Sequence, residues 1–123
     1  AASDVYKRQT GYGLALALAV TATGAAWAHH GWSSYDEGRL LTVAGAVEEA
    51  RFEHPHVTVR VRADSRVWLV ILPPPTRAAA AGLSPDLLGP GVRVSVEGYP
   101  HRREPVEMRA LRLVVGDRVF RLR

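Results

Sequence analysis

From Leu40 onward, apolar and polar residues alternate with period two, the pattern of strands that bury one face. In LLTVAGAVEEARF (40–52), Leu41, Val43, Gly45 and Val47 share a face, and the apolar phase then moves to Ala50 and Phe52, as it does across a bulge. Gly45 lets so long a strand bend sharply. HVTVRVR sends Val57, Val59 and Val61 inward and His56, Thr58, Arg60 and Arg62 outward, and the turn Ala63-Asp64-Ser65 closes a hairpin onto RVWLVIL (66–72). PPPT cannot continue a sheet, because proline donates no ladder hydrogen bond. The stretch TRAAAAGLSPDLLGPG predicts a short alanine helix with Thr76 as N-cap and Gly82 as its stop, then a second helical start at Ser84-Pro85-Asp86. Alternation resumes in VRVSVEGY, with Val92, Val94 and Val96 on one face, and ends with MRALRLVV and RVFRL around the turn Gly116-Asp117.

Three strands, a helical connection, two strands and a terminal hairpin is the order of an OB-type barrel, in which a long curled first strand pairs on both sides and removes the sheet edges. The expected fold class is all-β with a short helical insertion: a five-stranded OB-like barrel over residues 40–123. An open antiparallel sheet or sandwich is the alternative. Residues 29–39 read as an irregular N-terminal arm leading into the first strand.

Residues 1–28 have the three parts of a secretory signal peptide: Lys7 and Arg8, the apolar centre GLALALAV, and the A-x-A cleavage signal Ala26-Trp27-Ala28. A membrane anchor is the competing reading, but Thr21, Thr23 and Gly24 interrupt the apolar run before the ~20 residues a bilayer span needs. The opening AASDVYKRQ reads as adapter-derived sequence ahead of a truncated start. The expected mature protein is periplasmic or secreted, is not integral to a membrane, and begins at His29.

The 123 residues suit one domain, and the absence of cysteine excludes disulfides, thiolate metal sites and cysteine catalysis. Sixteen basic against 12 acidic residues give a formal net charge of +4. All the basic residues but Lys7 are arginine, spread singly along the strands, so no nucleic-acid footprint is formed and no nucleic-acid partner is expected.

Histidine at a free N-terminus offers its α-amino nitrogen and its ring Nδ1 to one ion, and an imidazole from elsewhere completes a histidine brace. Such nitrogen-rich sites suit copper first, and zinc or nickel less well. The amine's ordinary pKa near 8 means that copper displaces only a weakly held proton. In EHPHV, His54 and His56 on a strand would project from one face about 7 Å apart, close enough to share an ion, with Pro55 holding His54 extended. The candidate metal ligands are therefore His29, His30, His54 and His56. Against this stands the plainer reading of a solvated terminus and two exposed polar side chains. His101 stands beside Arg102 and Arg103, whose charges oppose a cation. Asp36 and Glu37 are candidates for orienting a histidine. Glu48 and Glu49 point to opposite strand faces and form no acid–base pair, and Ser33 and Ser34 lack a nucleophile-elbow context, so no catalytic residue is assigned. An oxidative copper enzyme would need an open coordination position and a substrate surface, and the sequence shows neither. Trp32, Trp68 and Tyr99 could form a stacking platform, although aromatic residues on strands more often pack.

HHGWSSYD, VAGAVEEARFEHPHVTVRV, Trp68 and GPGVRVSVEGYP together resemble a family of small exported bacterial proteins known only as a domain of unknown function. Its pattern is a His-His start, an aromatic-Asp pair, a G-x-V strand, an Asn-Pro-His turn, a strand tryptophan and a late P-G-x-x-V-x-V-x-G-x-P segment. The resemblance spans residues 29–123 and departs at His54, which stands where the family has asparagine. It implies export and no established activity. The leading expectation is an exported, non-enzymatic copper-binding protein. The alternative is an exported binding module for a small molecule, polysaccharide or protein partner, acting without metal through residues such as Trp32, Trp68 or Arg60.

Overall fold

The computed structural model describes residues 31–123. Six strands form one sheet: β1 (Leu41–Phe52), β2 (Val57–Ala63), β3 (Arg66–Ile71), β4 (Arg93–Pro100), β5 (Glu107–Val115) and β6 (Arg118–Arg121). Their order is β3-β2-β1-β4-β5-β6, and a parallel pairing of β3 with β5 closes the first five into a barrel, leaving β6 outside on β5. The closed OB-type barrel is the architecture that the alternation predicts, and the open sheet is excluded. Among the described residues, no helix is long and apolar enough to cross a membrane.

β1 makes closure possible by serving two neighbours. Its first half, Leu41 to Ala46, pairs with β4, and its second half, Ala46 to Phe52, pairs with β2. The register slips between Val47 and Glu49, the bulge read from the phase shift. The bulge also corrects one expectation: Glu48 and Glu49 are both exposed, ion-paired to Arg62 and Arg51 respectively, instead of facing opposite sides. At the crossover stands Gly45, where a Cβ would lie 2.1 Å from the carbonyl oxygen of Arg62. Gly98 on β4 meets the Arg109 carbonyl in the same way. Both strands bend where only hydrogen fits.

The inward positions fill the barrel with branched aliphatic side chains. Val57, Val61, Val70, Val96 and Met108 are fully buried, and Leu72, Leu113, Phe120 and Leu122 join them. The connection between β3 and β4 holds a helix, α1 (Pro75–Ala80), and a 3-10 turn at Pro85–Leu88, which add Ala78, Leu83 and Leu88 to the core. Pro74 is the N-cap of α1 and Pro75 opens the helix, so Thr76 sits inside it and makes no capping bond, contrary to its expected role. Gly82, at φ +97°, ends the helix as predicted. The Leu83 amide donates to Ala78 and the Gly82 amide to Ala79, a Schellman closure.

Gly45→Val should lower stability by about 3 kcal/mol, because the new side chain must displace backbone. Gly89→Ala, at φ −67° with nothing within 4 Å, should stay within about 0.5 kcal/mol. Urea unfolding of both variants checks this; equal midpoints would mean that β1 does not pass Arg62 so closely.

Candidate functional site

The arm is fastened to one end of the barrel. Trp32–Ser34 forms a 3-10 turn and Tyr35 makes a β-bridge with His101. The Asp36 amide donates to the Pro100 carbonyl at 2.9 Å, the Arg102 amide to Ser34 at 2.9 Å, and Arg102 Nε to Ser33 at 3.0 Å. Tyr35 is buried, and its hydroxyl donates to Glu107 Oε2 at 2.8 Å. Burial, then the hydrogen bond to Glu107 and its charge, push the Tyr35 pKa well up against the pull of Arg109, so the phenol stays protonated. His101 packs edge-on to the Tyr35 ring, with centroids 5.2 Å apart. Its Nδ1 accepts amide hydrogen bonds from Arg103 and Glu104, both 3.0 Å, which places a ring proton on Nε2, 3.7 Å from Glu107 Oε2.

Beside this network lies an arginine cluster. Arg109 of β5 and Arg123, just after β6, each set their guanidinium on the Trp32 ring, at 4.1 and 4.0 Å from its centroid. Tyr99 meets the same ring edge-on at 6.4 Å. Arg109, Arg123, Trp32 and Arg77 of α1 line a cleft floored by Pro73, Ala110 and Leu122. Burial lowers the Arg109 pKa, as do the charges of Arg123 and Arg77, while Tyr35 acts the other way.

The predicted ligands divide. His29 and His30 lie outside the described residues, as do the leader and its cleavage point. His54 is exposed and His56 half-buried; both lie in the turn between β1 and β2, not on a strand, and the His54–Pro55 peptide is cis. The shared strand face expected for the two rings is therefore not formed. His56 Nδ1 is buried with no hydrogen-bond partner. Burial first, then the nearby Arg109 charge, lower the His56 pKa, opposed by the backbone at Leu72. Among the described residues, no three of His, Asp or Glu gather closely enough to hold a metal ion.

Among the described residues, Asp36 accepts from the Gly38 amide and Glu37 pairs with Arg123, and neither bonds a histidine. Among the described residues, the carboxylate beside a histidine is Glu107, 3.7 Å from His101. Trp32 and Tyr99 do come together, but Trp68 lines a separate cleft with Thr42 and Asp64. Sequence pattern alone does not single out Arg77, Arg109 and Arg123. The only available signal was arginine at Arg109, on β5 between the buried Met108 and Ala110.

Because the folded protein disfavours charge on His56, stability should be lost as pH falls below its ordinary value near 6.5, where the unfolded chain takes up the proton. The melting-temperature difference between wild type and His56→Gln should therefore shift against wild type between pH 7.5 and pH 5.5. A constant difference would show that the ring titrates as it does in the unfolded chain.

No curated protein matches this chain. A family model described as a family of unknown function (DUF6152) matches residues 17–107, from before the arm to the first residue of β5. By that match, which takes in most of the barrel, the chain belongs to this family of unknown function.

Proposed function

We propose that the barrel is a non-catalytic binding module whose ligand is read at the end where the arm crosses β4 and β5. The observation that carries this is Trp32, fixed by the arm and contacted by both Arg109 and Arg123. Guanidinium groups set over an aromatic ring are held in place and still have N–H donors to offer a ligand. Tyr35, Glu107 and His101 hold that surface in place: the Tyr35–Glu107 hydrogen bond ties the arm to the first residue of β5. The expected leader would deliver the module to the periplasm or outside the cell.

The test uses full-length protein stripped with EDTA and a thermal-shift panel of sugars, amino acids, short peptides and small organic acids. At least one class should raise the melting temperature of wild type and not of Trp32→Ala, with circular dichroism showing that the variant is folded. No shift with any class, or equal shifts in both proteins, overturns the reading.

A second reading, copper binding by His29 with help from His30, His56 and His54, is supported by one observation: the buried Nδ1 of His56 has no partner. Copper, with zinc or nickel less favoured, would find imidazole nitrogen there, and Arg109 would oppose its charge. Titration of the processed protein with Cu(II) should give a site weakened by His29→Ala and by His56→Ala. Affinity unchanged by both substitutions removes this reading.

A further inference from the structure

We propose that Arg77, Arg109 and Arg123 form a receptor for a single oxyanion, the carboxylate, phosphate or sulfate group of a small molecule, with Trp32 as one wall. This deepens the binding-module reading and rests on it. The cleft gathers its three arginines from separate elements: α1, β5 and the segment two residues past β6. Like charges so placed repel unless an anion shares them, and the local carboxylates are largely committed. Glu107 accepts from Tyr35, and Glu37 takes one nitrogen of Arg123 at 3.0 Å. Among the described residues, neither Arg77 nor Arg109 has an ion-pair partner.

Size and lining select the ligand class. The cleft measures about 20 Å³, where one water needs about 10–15 Å³, so it takes only the leading oxygens of a charged group and not a whole ring or chain. Pro73 and Leu122 are buried apolar neighbours that offer no side-chain hydrogen bond. The donors available are guanidinium forks, which match the paired, charged oxygens of carboxylate, phosphate or sulfate better than a single neutral hydroxyl and offer a cation nothing. The rest of such a ligand would extend outward past Trp32.

The experiment is calorimetric titration of full-length, EDTA-treated protein at low ionic strength, where surface charge is least screened. Inorganic phosphate, sulfate and acetate are the probes, with glucose as the neutral one. Saturable one-to-one binding of at least one anion is expected, weakened roughly tenfold by Arg77→Gln and by Arg109→Gln, since each removes a charge-assisted contact. Arg93→Gln, exposed on β4 and not part of the cleft lining, should change little. Arg77 is exposed on α1, so its variant retains the core even if Arg109→Gln unfolds. Preference among the three anions identifies the headgroup and supports the proposal. No saturable anion binding, or equal weakening by Arg93→Gln, overturns it. If the thermal-shift panel nonetheless finds a Trp32-dependent neutral ligand, the binding-module reading survives and only the oxyanion assignment fails.

Discussion

Everything at the candidate site depends on the short parallel pairing that closes the barrel. Leu69, Val70 and Ile71 of β3 face Glu107, Met108 and Arg109 of β5, and the Leu69 amide adds a bond to Val106. Because side chains alternate along a strand, this register drives Met108 into the core and leaves Glu107 and Arg109 on the other face. Shifting it by one residue would bury both charges and expose the methionine. The closure therefore fixes the barrel and also sets Glu107 against Tyr35 and Arg109 against Trp32.

Closure in turn depends on β1 bending enough to serve β4 and β2 together. That much was legible from sequence, because it is written locally. The alternation of Val43, Gly45 and Val47, its shift toward Ala50 and Phe52, and the glycine at the crossover are all features of one contiguous stretch. Gly82 as a helix stop is equally local. The misjudged features had short-range competitors. Thr76 lost its capping role to the prolines before it, and the strand phase of β2 does not extend back to His56 because the proline turn intervenes. The phase shift marks the bulge, but the alternation rule alone does not say that Glu48 and Glu49 end on the exposed side together.

The site was much less legible, since its members meet only through tertiary pairing. Arg77, Arg109 and Arg123 look in sequence like scattered surface arginines, and their convergence follows from where α1 packs Ala78 into the core and where β6 ends. Glu107 likewise gains meaning only from Tyr35, far away in the chain. The histidines drew attention because H-x-H and His-His are visible as strings. Of those, the fold gives His56 an unusual environment, with a buried nitrogen and a guanidinium nearby, and leaves His54 in solvent.

β6 lies outside the barrel, yet it inserts Phe120, and the residues after it supply Leu122 to the core and Arg123 to the Trp32 ring. A strand that adds nothing to the closed hydrogen-bond circuit thus works as a latch joining two otherwise separate properties. Loosening it would withdraw apolar side chains from the interior and one wall of the cleft in a single motion. Core packing and the proposed binding cleft thus share the stretch from Phe120 to Arg123, so neither can be tuned there without the other.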